Sequence, residues 1–394
     1  MSSGVNAGSL PFRSHWNGGI LPLALKKPAR KPSAMSQPID QFLGVQNVPG
    51  VVALGTTATD TIYEGAFGMT NTDTESPINI DTPHAIMSMT KPITSFATMQ
   101  LVESGKIDLD APATDYISHY RSMTVLDQVD LASKSYTTRS LDRNFSIRHL
   151  LTHTAGFGYT FCNDTLYGLQ PESEKTDFPL LHQPGERWTY GIATRVLGDI
   201  VAEVTGNDLG TALQQMIFDP LEMLDTGFEN RESQVYPHHR SENGWIPAVR
   251  FPGMPLGDGG LISTARDYGK FLRCLLQKGK PLIRESTYQA MVTNQIGELT
   301  IQTQPAANKE WAHPFPKGAG VDKWGLGFQI HTAPDEAMRS PGSYSWCGLL
   351  NTYFWGDPIR QVGGIVLMQT LPLYDQACLD TLNGFERRFY ELVS

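Results

Sequence analysis

The sequence lacks the features that mark several large classes of protein. It has no run of about 20 apolar residues, the length that a helix needs to cross a bilayer, so we expect no membrane partner. Only 18% of the 394 residues are charged, the formal net charge is −9, and no long lysine and arginine block follows the first tens of residues. That balance argues against nucleic acid as a partner. With 40% hydrophobic residues, the composition is globular and predicts a small-molecule substrate.

Cysteine is also scarce. The four cysteines lie far apart and show no Cys-x-x-Cys spacing; they are Cys162, Cys274, Cys347 and Cys378. In a chain of this size, that pattern is typical of reduced thiols rather than of a disulfide framework or a zinc site. His238 and His239 have no carboxylate or cysteine at ligand spacing. We therefore expect no metal, no cofactor and a cytoplasmic location, while the oligomeric state stays open.

The N-terminal segment is basic and poor in acidic residues. Five lysines and arginines precede the first acidic residue, Asp40, and the apolar run at residues 20–25 comes before the Lys26-Lys27 pair. A secretory signal has the opposite order, with its charge before a longer apolar stretch. We expect residues 1–35 to be an upstream extension or a disordered arm, with a transit peptide as the alternative.

The two ends of the remaining chain carry matching strand patterns. Residues 51–54 and 62–67 read as two antiparallel strands, and residues 349–355 and 362–369 read as a second hairpin around a Gly-Asp-Pro turn. A helix with one apolar side is predicted over residues 375–392. The pattern favours one antiparallel sheet that the two chain ends build together.

The middle of the chain has mostly helical periodicity. Apolar stripes at 196–204 and 268–276 each end near a glycine, whereas residues 294–320 show little periodicity and predict a long loop or an inserted hairpin. We predict an α+β fold, an antiparallel sheet flanked by helices with an inserted, mostly helical lobe. The expected boundaries are a catalytic domain at 36–394, with an α/β lobe at 36–112 plus 336–394 and a helical lobe at 113–335.

A serine and a lysine at the start of a predicted helix are the first candidate for chemistry. In Ser88-Met-Thr-Lys91-Pro92, the proline fits only where helix amides lack intrahelical partners, so the helix should begin near Ser88. Lys91 then lies one turn from Ser88 on the same face. A lysine in a partly dry pocket can accept the serine proton, which is the activation that an alcohol nucleophile needs. Alone, this spacing is more often a helix cap beside a surface lysine.

Two further motifs support a functional interpretation of Ser88 and Lys91. Trp188-Thr-Tyr190-Gly precedes a predicted helix, and Ser345-Trp346-Cys-Gly enters a predicted strand. No Gly-x-Ser-x-Gly occurs in the chain, so His153 is interpreted as structural rather than as part of a Ser-His-Asp triad. The aromatic residues near these motifs form either core or an acyl or alcohol pocket. They are Phe157, Tyr159, Phe161, Trp188, Tyr344 and Trp346.

With these motifs, the chain resembles the serine enzymes that include class C β-lactamases, DD-peptidases and family VIII carboxylesterases. The resemblance covers about residues 40–394 and is carried by Ser88-x-x-Lys91 together with four further motifs. These are Glu-Ser-Gly-Lys-Ile-Asp-Leu-Asp at 103–110, Ile-Arg-His-Leu-Leu-Thr-His-Thr-Ala-Gly at 147–156, Pro-Gly-Glu-x-Trp-x-Tyr at 184–190, and Gly-Gly-x-x-Ser-Thr-Ala-Arg-Asp at 259–267. It implies an antiparallel sheet flanked by helices beside a helical lobe, with the active site at their junction.

The resemblance also implies catalytic roles. Ser88 would be the acylated nucleophile, Lys91 its base partner, and Tyr190 the phenol or phenolate that relays a proton to the leaving group. The oxyanion hole would consist of the backbone N–H groups of Ser88 and Leu349. Which of Lys91 and Tyr190 is the primary base stays open.

Two departures from the family pattern bear on the substrate. Trp346-Cys347-Gly348 stands where lactamases and peptidases carry Lys-Thr-Gly, and Ile192 stands where many carry the asparagine of Tyr-x-Asn. Both changes remove groups that would bind a substrate carboxylate or amide, so the resemblance favours a neutral ester. The predicted substrate-binding residues are Tyr159, Ile192, Trp346, Cys347 and Gly348.

We therefore predict a serine carboxylesterase that hydrolyses short-chain neutral esters through an acyl-enzyme. An acyltransferase that passes the acyl group to an alcohol is the nearest alternative, because the same three side chains would serve it. A β-lactamase or D-aminoacyl peptidase is a third possibility, which the tryptophan replacement disfavours. A non-enzymatic scaffold is the fourth, and the retained Ser88, Lys91 and Tyr190 argue against it.

Overall fold

The computed structural model describes residues 36–169, 176–333 and 338–394, so the prediction for residues 1–35 lies outside the described residues. The helices in these ranges are α1 (Gln37–Leu43), α2 (Thr90–Glu103), α3 (Ile147–Leu151), α4 (Asp164–Leu169), α5 (Ala193–Thr205), α6 (Leu209–Leu213), α7 (Ala265–Leu276), α8 (Glu285–Met291) and α9 (Gln376–Val393). The predicted helix near the C-terminus is confirmed as α9, and Asp375 caps it by accepting a hydrogen bond from the Ala377 amide.

The strands belong to one large sheet and several small ones. They are β1 (Gly50–Thr57), β2 (Thr61–Asn71), β3 (Ser76–Pro77), β4 (His84–Ala85), β5 (Thr124–Asp130), β6 (Ser135–Ser140), β7 (His238–Ser241), β8 (Gly244–Pro247), β9 (Ile262–Ser263), β10 (Lys323–Trp324), β11 (Gln329–Ile330), β12 (Tyr344–Gly348), β13 (Thr352–Asp357), β14 (Val362–Leu367) and β15 (Thr370–Leu371). The large sheet has the order β10-β11-β12-β13-β14-β1-β2-β3, and its neighbours pair antiparallel.

The two chain ends meet in the middle of this sheet, as predicted. Strand β1 pairs with β2 on one side and with β14 on the other, with Val52 opposite Leu367. The two faces of β1 carry different helices: Leu54 faces Gly269 of α7, whereas Gly55 lies against the Phe389 ring of α9. Because neighbouring strand residues point to opposite faces, the sheet is covered on both sides. The predicted α+β fold with flanking helices is confirmed.

One strand boundary differs from the prediction. Residues 349–351, expected inside a strand, form the turn between β12 and β13. Asn351 has a φ of 55°, and its side-chain amide donates to the Thr370 and Pro372 carbonyls. This buried asparagine fixes the turn, and apolar Leu349 and Leu350 before it resemble strand residues in the sequence.

The middle of the chain contains helices together with two hairpins. Helices α3 to α8 lie there, and so do the hairpins β5-β6 and β7-β8. The stripe at 196–204 falls in α5, which ends at Gly206 with a left-handed φ of 68°. Residues 294–320 are largely irregular, in line with the predicted loop. The lobe boundaries themselves stay a prediction.

Candidate active site

Ser88 lies in a single turn that leads into α2. The turn is a short 3₁₀-helix, Met87–Met89, and Met87 has a left-handed φ of 49°. Pro92 lies in the first turn of α2, where its missing N–H costs no hydrogen bond. Strand β12 ends directly against this turn, since a Cβ atom at Gly348 would lie 2.3 Å from the Ile86 carbonyl oxygen. Only glycine permits this approach, which brings the end of β12 beside Ser88.

Lys91 is buried beneath Ser88, with 1% of its surface exposed. Its Nζ donates to the Tyr159 hydroxyl at 2.7 Å and to the backbone carbonyl of Asp258 at 2.8 Å, and it lies 3.1 Å from Ser88 Oγ. The predicted serine and lysine are therefore in hydrogen-bond contact. Tyr159 and Asp258, which supply two of these contacts, are distant from Lys91 in sequence.

Tyr190 contacts Ser88 as well. Its hydroxyl hydrogen-bonds the Ser88 side chain and accepts a hydrogen bond from Trp346 Nε1 at 3.3 Å. The Tyr190 ring lies 4.9 Å from Lys91 Nζ. Burial raises the pKa of Tyr190 well above its usual 10, so its hydroxyl keeps its proton at neutral pH. The structure thus brings Ser88, Lys91 and Tyr190 together.

The site also contains two charged residues that the sequence motifs did not identify. The Tyr159 hydroxyl donates to the Asp258 carboxylate, and Arg195 donates to both oxygens of that carboxylate, at 3.0 and 3.1 Å. Asp258 directly precedes the Gly259-Gly260 motif, and Arg195 follows Tyr190 by five residues on α5. The sequence signal that could identify Asp258 is its position between two glycines at the start of a family motif.

A cleft of about 500 Å³ opens above Ser88. Its walls are mainly apolar and aromatic, and the large side chains are Tyr159, Phe161, Tyr167, Phe251, Met254 and Trp311. Ser88 and Leu349, the two predicted oxyanion-hole residues, both line it. Ser88 and Leu349 therefore face the same space, and their oxyanion role stays a prediction.

The other predicted substrate-binding residues lie outside the residues that line this cleft. Trp346 is 3% exposed and packs behind Tyr190, with the ring centroids 4.9 Å apart. Cys347, like Trp346, borders a separate cavity of about 90 Å³, and burial raises the pKa of the Cys347 thiol to about 12. Gly348 contacts the Ser88 turn, and Ile192 is the buried N-cap residue of α5. Of the five predicted binding residues, Tyr159 is the one that lines the cleft, and the binding roles stay predictions.

His153 packs against the aromatic side chains of the site. Its ring contacts the rings of Tyr190 and Trp324, each with centroids 5.1 Å apart. Burial, and then the positive charge of Lys91, lower its pKa well below 6.5, so His153 is neutral at physiological pH. These contacts support the structural interpretation. Within the described ranges, no cluster of three or more His, Cys, Asp or Glu residues could hold a metal ion.

Comparisons with known proteins identify the family of this chain. The beta-lactamase family model matches residues 35–387. Esterase EstB of Burkholderia gladioli is 26% identical over 382 residues, 85% of this chain and 89% of that protein. ML-236A carboxylate methylbutanoyltransferase of Penicillium citrinum is 25% identical over 413 residues, 95% and 98% of the two chains. A mutant of simvastatin synthase from Aspergillus terreus superimposes with a TM-score of 0.77 at 25% identity, covering 91% and 94%. The chain belongs to the β-lactamase family.

Proposed function

We propose that the protein is a serine ester hydrolase that works through an acyl-enzyme on Ser88. The observation that carries this proposal is the contact of Ser88 Oγ with the buried Lys91 Nζ at 3.1 Å, with Tyr190 hydrogen-bonded to the same serine. A serine needs a neighbouring base to attack a carbonyl, and both candidate groups lie within reach.

In this mechanism Lys91 is the base. A neutral amine has two N–H donors and one lone pair. The Asp258 backbone carbonyl can only accept a hydrogen bond. The Tyr159 hydroxyl donates its one hydrogen bond to the Asp258 carboxylate, so its oxygen is also an acceptor towards Lys91. These two acceptors therefore take the two N–H donors of Lys91. The lone pair then faces Ser88. The raised pKa of Tyr190 supports this assignment, because a protonated phenol cannot take the serine proton.

Acylation then proceeds in balanced steps. The Ser88 proton passes to Lys91 as Oγ bonds to the ester carbonyl carbon, and the N–H groups of Ser88 and Leu349 stabilise the oxyanion. When the C–O bond to the alcohol breaks, the leaving oxygen takes the Tyr190 proton and Lys91 returns a proton to Tyr190. A second nucleophile releases the acyl group by the reverse sequence.

The substrate that fits best is a neutral ester with a short acyl group. The cleft is largely apolar, and Trp346 occupies the position where lactamases carry a lysine. Acyl transfer to an alcohol is the second candidate, and the cleft volume favours it. About 500 Å³ exceeds what a short acyl group fills, which leaves room for a bulky acceptor. Relatives named esterase and methylbutanoyltransferase are consistent with both activities.

We place this reaction in the cytoplasm because the four cysteines are buried thiols, as expected in a reducing compartment. No helix in the described residues is long and apolar enough to cross a bilayer.

The test combines covalent labelling with product analysis. A phosphonate ester probe should add one adduct to the intact protein, and peptide mapping should place it on Ser88. Turnover of p-nitrophenyl butyrate with and without a bulky apolar alcohol separates hydrolysis from transfer, since transfer yields a new ester. Ser88→Ala is the matched control. Labelling at another serine would refute the proposal.

A further inference from the structure

Asp258 is linked to Lys91 once directly and once through Tyr159. Its backbone carbonyl accepts a hydrogen bond from Lys91 Nζ at 2.8 Å, and its carboxylate accepts one from the Tyr159 hydroxyl, which itself contacts Nζ. The carboxylate is also paired with Arg195, and only 2% of the Asp258 side chain is exposed. Asp258 thus supplies one hydrogen-bond partner of Lys91 and holds a second one, Tyr159.

The local sequence explains how this aspartate reaches the site. A Cβ atom at Gly257 would lie 2.4 Å from the Thr194 carbonyl oxygen and 2.7 Å from the Gly198 Cα atom, both on α5. Glycines on both sides therefore let the loop lie directly on the helix. Arg195 projects from the same turn of α5, so this close approach places the arginine against the Asp258 carboxylate.

We infer that Asp258, held by Arg195, is a positioning residue that fixes the direction of the Tyr159 hydroxyl proton and so keeps the Lys91 lone pair directed at Ser88. The inference rests on the proposed acyl-enzyme mechanism. A tyrosine hydroxyl has one proton. While that proton is donated to Asp258, Tyr159 can only accept from Lys91; without the carboxylate, the hydroxyl turns and donates to Lys91. It would then compete with Ser88 for the lone pair.

The charges around Asp258 set the expected pH effects. Arg195 faces it as a cation, Tyr159 as a neutral donor, and Lys91 as the amine that takes up the serine proton. Asp199 of α5 is a nearby carboxylate, which interacts with Arg195 and with the Tyr120 hydroxyl. Removing the Asp258 charge takes an anion away from Lys91 and disfavours its protonated form. Removing the Arg195 charge has the opposite effect.

The test is Asp258→Asn, which keeps the size and the backbone carbonyl. We expect kcat for p-nitrophenyl butyrate to fall on the order of tenfold or more, below the 10²–10⁴ of a direct acid–base group. KM should change little, and the acid limb of the pH–rate profile should move to lower pH. Asp199→Asn removes a carboxylate from the same neighbourhood without touching Tyr159, and it should leave kcat and the acid limb unchanged.

Two further variants keep the inference falsifiable if Asp258→Asn folds poorly. Arg195→Gln should move the acid limb to higher pH, opposite to Asp258→Asn. In a double-mutant cycle, Asp258→Asn should reduce kcat much less in a Tyr159→Phe background, because the hydroxyl that it directs is gone.

The outcomes separate the inference from the mechanism on which it rests. Phosphonate labelling of Ser88 in the unmodified protein tests the mechanism. The positioning role is overturned if labelling occurs but Asp258→Asn leaves kcat unchanged or leaves the acid limb of the pH–rate profile in place. It is also overturned if the effects of Asp258→Asn and Tyr159→Phe on kcat are fully additive. Absence of labelling overturns the acyl-enzyme proposal instead.

Discussion

The Tyr159 hydroxyl lies 2.7 Å from Lys91 Nζ, although the two residues are 68 positions apart in the chain. The same hydroxyl donates to the Asp258 carboxylate, so its oxygen faces the amine as an acceptor. The tyrosine therefore holds one N–H of the lysine in place. The Tyr159 side chain therefore both lines the cleft and contacts the Lys91 amine.

Tyr159→Phe should lower kcat by roughly 10- to 100-fold, because Lys91 loses an acceptor that orients it, while the ring remains in the cleft wall. KM for short esters should stay within about threefold of the original value. Steady-state kinetics with p-nitrophenyl butyrate measure both. A large rise in KM with unchanged kcat would instead make Tyr159 a binding residue alone.

Ser88→Ala should abolish ester hydrolysis and phosphonate labelling, and Lys91→Ala should reduce kcat by a factor on the order of 10³ or more. The reason is that the first variant removes the nucleophile and the second its base. Circular dichroism and thermal unfolding should show that both variants fold. Full activity in Ser88→Ala would exclude this serine as the nucleophile.

Tyr190→Phe tests the proton path to the leaving group. The hydroxyl contacts Ser88 and keeps its proton because burial raises its pKa, so it can act as an acid. We expect kcat to fall far more than KM rises, since the proton moves mainly in the transition state. The loss should be smaller for p-nitrophenyl esters, whose leaving group needs little protonation, than for alkyl esters. Equal losses on both would contradict this role.

The sequence predicts the contacts of the candidate site that lie within a local motif and misses those that arise from tertiary packing. Ser88 and Lys91 share one helical turn, so their spacing alone brings them together. Tyr190 can be predicted from the family motif at 184–190. Asp258 and Arg195 meet only because Gly257 lies against α5, a contact without a short-range signal.

The residues that line the cleft are also only partly predictable from the sequence. Trp346 and Cys347 alternate along β12, so at most one of them can face a given side of the sheet. In the fold, Trp346 packs against Tyr190, and both Trp346 and Cys347 border another cavity, while Phe251 and Trp311 from irregular segments form part of the cleft wall. Residues in loops without periodicity gave no pattern from which this wall could be assigned.

Stability should fall between pH 6.5 and pH 4 because of buried histidines. Burial lowers the pKa of His84 to about 4, and His182 and His238 are lowered to about 4 as well. In that window the unfolded chain binds more protons than the folded one, so the free energy of unfolding rises with pH and is lost on acidification. Each histidine contributes about 1.4 kcal/mol per pH unit there.

Urea unfolding of the intact protein and of His84→Gln at pH 5 and 7.5 measures this effect. The amide can still donate to the Thr82 carbonyl, which His84 Nδ1 contacts, but it does not titrate. The fall in unfolding free energy between the two pH values should be smaller in the variant by roughly 2 kcal/mol. Parallel falls in both proteins would show that His84 is protonated in the folded state.

The last prediction concerns substrate class and depends on Trp346. A lysine at this position would offer an ammonium to the carboxylate of a penicillin or a D-alanyl peptide, whereas the buried indole offers one N–H, which it donates to Tyr190. A carboxylate substrate thereby lacks a charge-assisted hydrogen bond of roughly 1.5–3 kcal/mol, or about one to two decades in binding.

Neutral short-chain esters carry no carboxylate and lose nothing by this replacement. We therefore expect kcat/KM for p-nitrophenyl butyrate to lie well above that for nitrocefin on one enzyme preparation. Trp346→Lys should narrow the gap by weakening ester turnover, because it places a cation near Lys91, which disfavours proton uptake by that amine, and removes the donor that orients Tyr190. Trp346→Phe is the matched control: it removes the N–H while it keeps an aromatic ring, so ester turnover should fall without any gain toward nitrocefin. If nitrocefin is turned over as fast as butyrate, the substrate is a β-lactam and the ester assignment is wrong.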